Sequence, residues 1–211
     1  MPQCNDSVET MQYSDFYNQN ANSLATQYNS LSFEDVHGCW RDFWPGCGER
    51  VLDVGAGSGR DACWMAARGC AVVAVEPAAL MRAEGQRLTG DAVKWLDDGL
   101  PELAQLSRHK HPFDVILVSA VWMHLTPEQR QQALGHLAAL LTSEGRLVIS
   151  LRDGEFSDGR VTYPLSVEEL VAQATESGLN PVLISERQDD RLKRSDVSWQ
   201  TVVLSSPIRK D

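Results

Sequence analysis

The stretch Val51-Leu52-Asp53-Val54-Gly55-Ala56-Gly57-Ser58-Gly59-Arg60-Asp61 sets a glycine-rich turn between an apolar run and a helix expected over 58–68. Glycines in such a turn permit positive φ and let a ligand approach the backbone with no Cβ in the way. A tight strand-to-helix turn alone also accounts for them. The dinucleotide fingerprint GxGxxG needs a further glycine at position 60, where Arg60 stands, and this counts against a nicotinamide-dependent oxidoreductase. Farther along, His124 has an unperturbed pKa of about 6.5 and can take a proton near neutrality. Arg152, Arg160 and Arg187 can converge above a sheet, where an arginine fork suits a carboxylate or phosphate. Their other reading is surface ion pairing with Asp153, Glu155 or Asp189.

These groups need a frame. Arg50 to Val54, Ala71 to Glu76, Phe113 to Ser119, Arg146 to Leu151 and Pro181 to Glu186 are short apolar runs, with Val93 to Leu96 a weaker one. Runs of this kind suit strands buried on both faces of a parallel sheet. Helix punctuation separates them. Thr126-Pro127-Glu128-Gln129 offers a cap, a proline at the first helical position and a capping box, opening a helix to about Leu141. Thr142 to Gly145 then reads as a turn. Ser166-Val167-Glu168-Glu169 is a second capping-box signal, for a helix ending near Gly178. Val197 to Ser205 reads as a final antiparallel strand after the polar connection Arg187 to Asp196. The expected fold is a doubly wound, mostly parallel seven-stranded sheet with helices on both faces and a C-terminal antiparallel hairpin strand. Such sheets bind ligands beyond the carboxyl ends of their strands.

The 211 residues suit one compact domain, which we divide into a helical N-terminal lid over 1–45 and a core over 46–211. Nineteen Lys and Arg face 29 Asp and Glu, a net charge of −10, the wrong sign for nucleic acid or an anionic membrane. A small-molecule partner is expected, on a monomer or homodimer. The basic cluster Arg108-His109-Lys110-His111 reads as a solvated face. Five cysteines, Cys4, Cys39, Cys47, Cys63 and Cys70, show no CxxC spacing, which speaks against a zinc ribbon or disulfide scaffold. With no signal-peptide pattern and no long apolar run, the expected compartment is cytoplasmic.

The glycine motif, taken with Glu76 closing Val72-Val73-Ala74-Val75-Glu76-Pro77, Asp97 in Trp95-Leu96-Asp97-Asp98-Gly99-Leu100-Pro101, Phe113 to Leu125, and Leu141 to Ser150, resembles the class I S-adenosylmethionine-dependent methyltransferases over nearly the whole chain. That resemblance implies a Rossmann-like fold and S-adenosyl-L-methionine as cofactor. It implies that Glu76 accepts hydrogen bonds from the ribose hydroxyls and that Asp97 lies near the adenine amino group. Cofactor contacts are expected from Tyr13, Tyr17, Asp53, Gly55, Ala56, Gly57, Arg60, Glu76, Pro77, Asp97 and Ser119. A sulfonium with an amino group and hydroxyls wants acceptors, and Asp53, Glu76 and Asp97 supply carboxylates that would repel a pyrophosphate. Asp53 either touches ligand or only ties down the glycine turn.

Similar small-molecule enzymes begin with an aromatic and asparagine cluster like Tyr13 to Ala21, which folds over the cofactor, and aromatic faces can stabilise a sulfonium. His124, Trp122 and Arg152 are the reaction-centre candidates. For His124 a structural role outranks base catalysis, and Trp122 lines the acceptor pocket or packs in the core. Related nucleic-acid enzymes carry a Pro-Pro-aromatic motif or a Pro-Cys nucleophile, both absent here. Metal-dependent relatives carry an Asp after the fourth strand and Asp-Asn after the fifth, where this chain has Ser119 and Asp153-Gly154, so no metal is expected. The expected function is methyl transfer to an O, N or S atom of a small molecule. A protein or peptide side-chain methyltransferase and a cofactor-binding regulator without turnover are the alternatives.

Overall fold

The computed structural model describes residues 14–106 and 111–206. Its sheet begins with β1 (Arg50–Val54), β2 (Ala71–Val75) and β3 (Val93–Leu96), followed by β4 (Phe113–Val118) and β5 (Leu141–Asp153). β6 (Asn180–Ile184), the two-residue β7 (Gln188–Asp189) and β8 (Ser198–Ser205) complete it. The order is β3-β2-β1-β4-β5-β8-β6, with β7 on β8. β1 to β5 pair in parallel, and β8 runs antiparallel to both of its long neighbours. The connections reverse direction between β1 and β4, which opens a crevice at the carboxyl ends of those strands.

Alternation along each strand divides the core. Leu52, Val54, Ile116 and Val118 face one side, whereas Val51, Val115 and Leu117 face the other. Among the helices, α1 (Ala21–Tyr28) and the short α2 (Phe33–His37) precede the sheet, α3 (Arg60–Ala67) and α4 (Ala79–Thr89) follow β1 and β2, and α5 (Pro127–Leu140) and α6 (Val167–Glu176) come later. Leu134, Leu137, Leu170 and Ala174 of α5 and α6 pack on the first face; Phe33, Trp40 and Met65 cover the second. α1 lies on α4, with Ala21 against Ala78 and Met81. Residues 14–19, also helical, lead into it.

The strand boundaries expected from the sequence match closely except at β5, which starts at Leu141 rather than Arg146. The expected turn over Thr142 to Gly145 is a register irregularity inside that strand: Leu141 pairs with Phe113 and Arg146 with Val115. Gly145 makes this passage possible, because a Cβ there would sit 3.0 Å from the Phe113 carbonyl oxygen. β8 is inserted between β5 and β6, so it alone of the long strands is reversed.

At α5 the capping box is complete, with Thr126 Oγ1 accepting from Gln129 N and Gln129 Oε1 accepting from Thr126 N. At α6 only half of one forms. Ser166 Oγ accepts from Glu169 N, but the Glu169 carboxylate turns to Arg130, 3.3 Å away. Arg130 is 1% exposed and also donates to the carbonyls of Trp122, Tyr163 and Pro164. One buried guanidinium thus ties the loop after β4, the approach to α6 and α5 together. Arg130→Met should cost about 3 kcal/mol or more, because it orphans three carbonyls and a carboxylate. Thr126→Ala should cost about 1 kcal/mol. Urea denaturation of both variants checks the ranking, and equal midpoints would refute it.

Candidate active site

The turn after β1 is held from its neighbour strand. Gly55 N and Ala56 N both donate to the Val75 carbonyl, at 2.9 and 3.0 Å. Gly55 (φ 68°) passes so close to Val121 that a Cβ would lie 2.4 Å from its Cγ2. Gly59, by contrast, serves helix packing: its Cβ would meet the Gly85 backbone and the Trp95 ring at 3.0 Å. The motif therefore mixes a ligand-facing turn with a packing constraint.

Glu76 is 8% exposed, and its two oxygens are separately engaged. Oε2 accepts from Gly57 N at 2.9 Å and Oε1 from Ala78 N at 2.8 Å. Burial raises its pKa despite both bonds. Beneath the turn, Asp53 Oδ2 is buried without a hydrogen-bond partner among the described residues. Burial first, and then the neighbouring Asp61 charge, push Asp53 well above the usual carboxylate range. Asp61 goes the other way. Burial would raise it, but Arg60 and His37 outweigh that and keep it ionised. Trp40 Nε1 donates to His37 Nδ1, which leaves the Nε2 hydrogen of His37 to donate to Asp61 at 3.0 Å. The two neighbouring acids are thus pushed in opposite directions.

The opposite end of the cavity is cationic and aromatic. Phe156 has the guanidinium carbons of Arg152 and Arg160 each 3.8 Å from its ring centroid, and Arg160 also lies 4.6 Å from Phe16. Arg160 pairs with Asp158 and donates to the Tyr17 hydroxyl at 3.0 Å. Tyr17, its phenol kept protonated chiefly by burial, reaches His124 Nε2 at 3.1 Å. His124 Nδ1 lies 3.3 Å from the Val161 carbonyl, so Nδ1 donates there and Nε2 accepts from Tyr17. At the rim Asp190 binds Arg194 and accepts from Trp199 Nε1.

Tyr17, Asp53, Gly55, Ala56, Gly57, Arg60, Glu76, Pro77, Ser119, His124 and Arg152 all line one cavity of about 260 Å³. Tyr13 lies outside the described residues. Two expected site residues are elsewhere. Asp97 is not on the cavity wall; its exposed carboxylate pairs with Arg82 at 3.0 Å. Trp122, on the 3-10 turn after β4, is 1% exposed and packs in the core against α5. Arg187 pairs with Asp153 outside the cavity, whereas Arg194 joins Arg152 and Arg160 in its wall. Sequence reading also missed Asp61, which ends the glycine motif but was given no role, and Phe156, Asp190 and Trp199, which reach the wall from segments with no motif of their own.

Burial, with smaller contributions from Arg160 and Arg152, lowers the His124 pKa to about 4. The unfolded chain takes this proton near pH 6.5, so between pH 6.5 and about 4 the unfolded state binds more protons and stability falls as pH falls. This contribution is complete above about pH 6.5. Imidazole proton shifts of His124 should show a neutral ring at pH 5.5, and His124→Phe should flatten the acid loss of stability. A ring that titrates near 6.5 would refute the assignment.

Comparison with known proteins places this geometry. A family model described as a methyltransferase domain matches residues 51–145. An uncharacterised methyltransferase of Anoxybacillus flavithermus is 27% identical over 131 residues, which cover 62% of this chain and 57% of that protein. The chain thus spans little more than half of that relative. A 1,6-didemethyltoxoflavin-N1-methyltransferase of Burkholderia thailandensis, solved with S-adenosylhomocysteine, superposes with a TM-score of 0.68 at 18% identity, covering 98% of this chain and 92% of that one. The [4+2]-cyclase SpnF superposes with a TM-score of 0.70 at 11% identity, covering 93% and 96%. Over residues 51–145 the chain matches a methyltransferase domain, and its fold is that of the solved S-adenosylhomocysteine-bound methyltransferase.

Proposed function

We propose that the protein transfers the methyl group of S-adenosylmethionine to an O, N or S atom of a small-molecule acceptor. The observation that carries this reading is Glu76, buried at the β2 end with each oxygen anchored by one backbone N–H beside the glycine turn. Each oxygen keeps lone-pair capacity for a diol, and a second acceptor, Asp53 Oδ2, stands buried and unpartnered beneath the same turn. Ser119 and Pro77 extend the wall on either side. Asp97, on Arg82, is not part of this set. When bound, the cofactor supplies an electrophilic methyl on a sulfonium. No residue of the set calls for a metal.

The chain's own residues supply enclosure and alignment. The segment bearing Tyr17 roofs the cavity through Arg160 and His124, and it excludes water from an in-line displacement. His124 is better suited to holding this roof than to accepting a proton, because its Nε2 lone pair already receives the Tyr17 hydroxyl. Release of S-adenosylhomocysteine with a metabolite extract separates an active enzyme from a regulator or from other chemistry on the same fold.

Glu76→Ala should weaken S-adenosylmethionine binding by about 1.5–3 kcal/mol, the range for hydrogen bonds to a charged group. Unchanged affinity by calorimetry in a folded variant would remove Glu76 from the cofactor site. Residues 16–24 should behave as a lid. S-adenosylhomocysteine should slow their amide exchange, since a lid closes when ligand adds contacts to the closed state. Identical protection with and without ligand would make the segment a fixed part of the core.

A further inference from the structure

We infer that the acceptor is an oxyanion, and that Arg152 is the group that binds its carboxylate or phosphate. The inference rests on the proposed methyltransferase reading. Among the described residues, three of the five arginines of the cavity are already neutralised by carboxylates, Arg60 by Asp61, Arg160 by Asp158 and Arg194 by Asp190, and Arg191 is exposed to solvent. Arg152 differs. It is 5% exposed, forms no ion pair among the described residues, and bonds only to the carbonyls of Gly154 and Glu155. Its Nε is buried with no hydrogen-bond partner. A cation this deeply buried is costly unless a counter-charge joins it. Burial is the largest influence against its charged form, and Arg194 and Arg160 add to it while Asp190 and Asp196 oppose it.

The stack on the other side explains how such a residue is held. Phe16, Arg160, Phe156 and Arg152 alternate as ring and cation, so the Arg152 guanidinium is fixed in orientation as the end of a ladder. A planar fork held in one orientation suits an oxyanion that accepts two parallel hydrogen bonds.

The cofactor's own carboxylate is the rival for this role. Glu76 follows β2 and Arg152 ends β5, and the order β2-β1-β4-β5 puts three strand spacings between them. At about 4.8 Å per spacing this is about 14 Å. The Glu76 and Arg152 side chains both reach into this gap, so the S-adenosylhomocysteine affinity of the Arg152 variants is what separates the cofactor carboxylate from the acceptor.

The test titrates benzoate, phenyl phosphate and neutral benzamide into the full chain saturated with S-adenosylhomocysteine, by calorimetry. At least one of the two anions should bind and benzamide should not. Which anion binds identifies carboxylate or phosphate as the group read. Arg152→Gln should weaken that anion by about tenfold or more, the loss of one charge-assisted hydrogen bond. Arg152→Lys should retain part of the affinity. S-adenosylhomocysteine affinity, measured on the same variants, reports that the fold and the cofactor half are intact. Binding of neither anion, equal binding by Arg152→Gln, or benzamide binding as tightly as benzoate overturns the inference while leaving the cofactor reading in place. An equal loss of S-adenosylhomocysteine affinity in Arg152→Gln would assign Arg152 to the cofactor carboxylate and overturn it too. Failure of the unaltered protein to bind S-adenosylhomocysteine would overturn the methyltransferase reading and this inference together.

Discussion

The bridge made by the Glu76 carboxylate is the constraint on which the cavity depends. One oxygen holds Gly57 in the turn after β1 and the other holds Ala78 at the entry to α4. Two crossovers that would otherwise end in open loops are therefore locked to one buried side chain. The same bridge sets the position of α4, whose Met81 and Ala78 receive α1. The N-terminal segment is thus seated by a residue at the carboxyl end of β2. Removing a carboxylate from water to do this is costly, which shows as its raised pKa, and the two backbone donors offset part of that cost.

Around this bridge the charges of the cavity are sorted into two groups. Asp53, Asp61 and Glu76 cluster at the glycine turn with Arg60, and Arg152, Arg160 and Arg194 gather at and after the end of β5 with Asp158 and Asp190. Net charge over the whole chain, −10, says nothing of this division. At the acid end the two neighbouring carboxyls are pushed in opposite directions, Asp53 up by burial and Asp61 down by Arg60 and His37. At the basic end the Phe156 ring contacts both Arg152 and Arg160, and Phe16 contacts Arg160 as well.

Much of the fold was legible because buried parallel strands leave unmistakable apolar runs and because Thr126 and Ser166 stand at helix starts. β5 was read short since its first residues, Thr142 to Glu144, are polar, and only pairing with Phe113 and the space at Gly145 keep them extended. β7 carries two residues and no pattern of its own. In the site, the glycine turn and Glu76 were readable as local motifs. Asp97 lies off the cavity wall, paired with Arg82 of the facing helix, and of the two places read for Trp122 the structure takes the core, on the 3-10 turn after β4. Phe156, Asp190 and Arg194 depend on loops whose course is decided by tertiary contacts, which periodicity does not encode.

The insertion of β8 between β5 and β6 bears on how the chain is made. β6 pairs with no strand other than β8, so it has no neighbour in the sheet until residues 198–205 have left the ribosome. The roof waits similarly, because Tyr17 meets partners 107 and 143 residues downstream. Domains form as their segments emerge, and contacts between distant segments come late. The half of the sheet that carries the glycine turn can therefore assemble before the edge strand pairs and before the aromatic roof closes. Tyr17 is made ahead of every strand of the sheet, yet it finds its place only after Arg160 has followed.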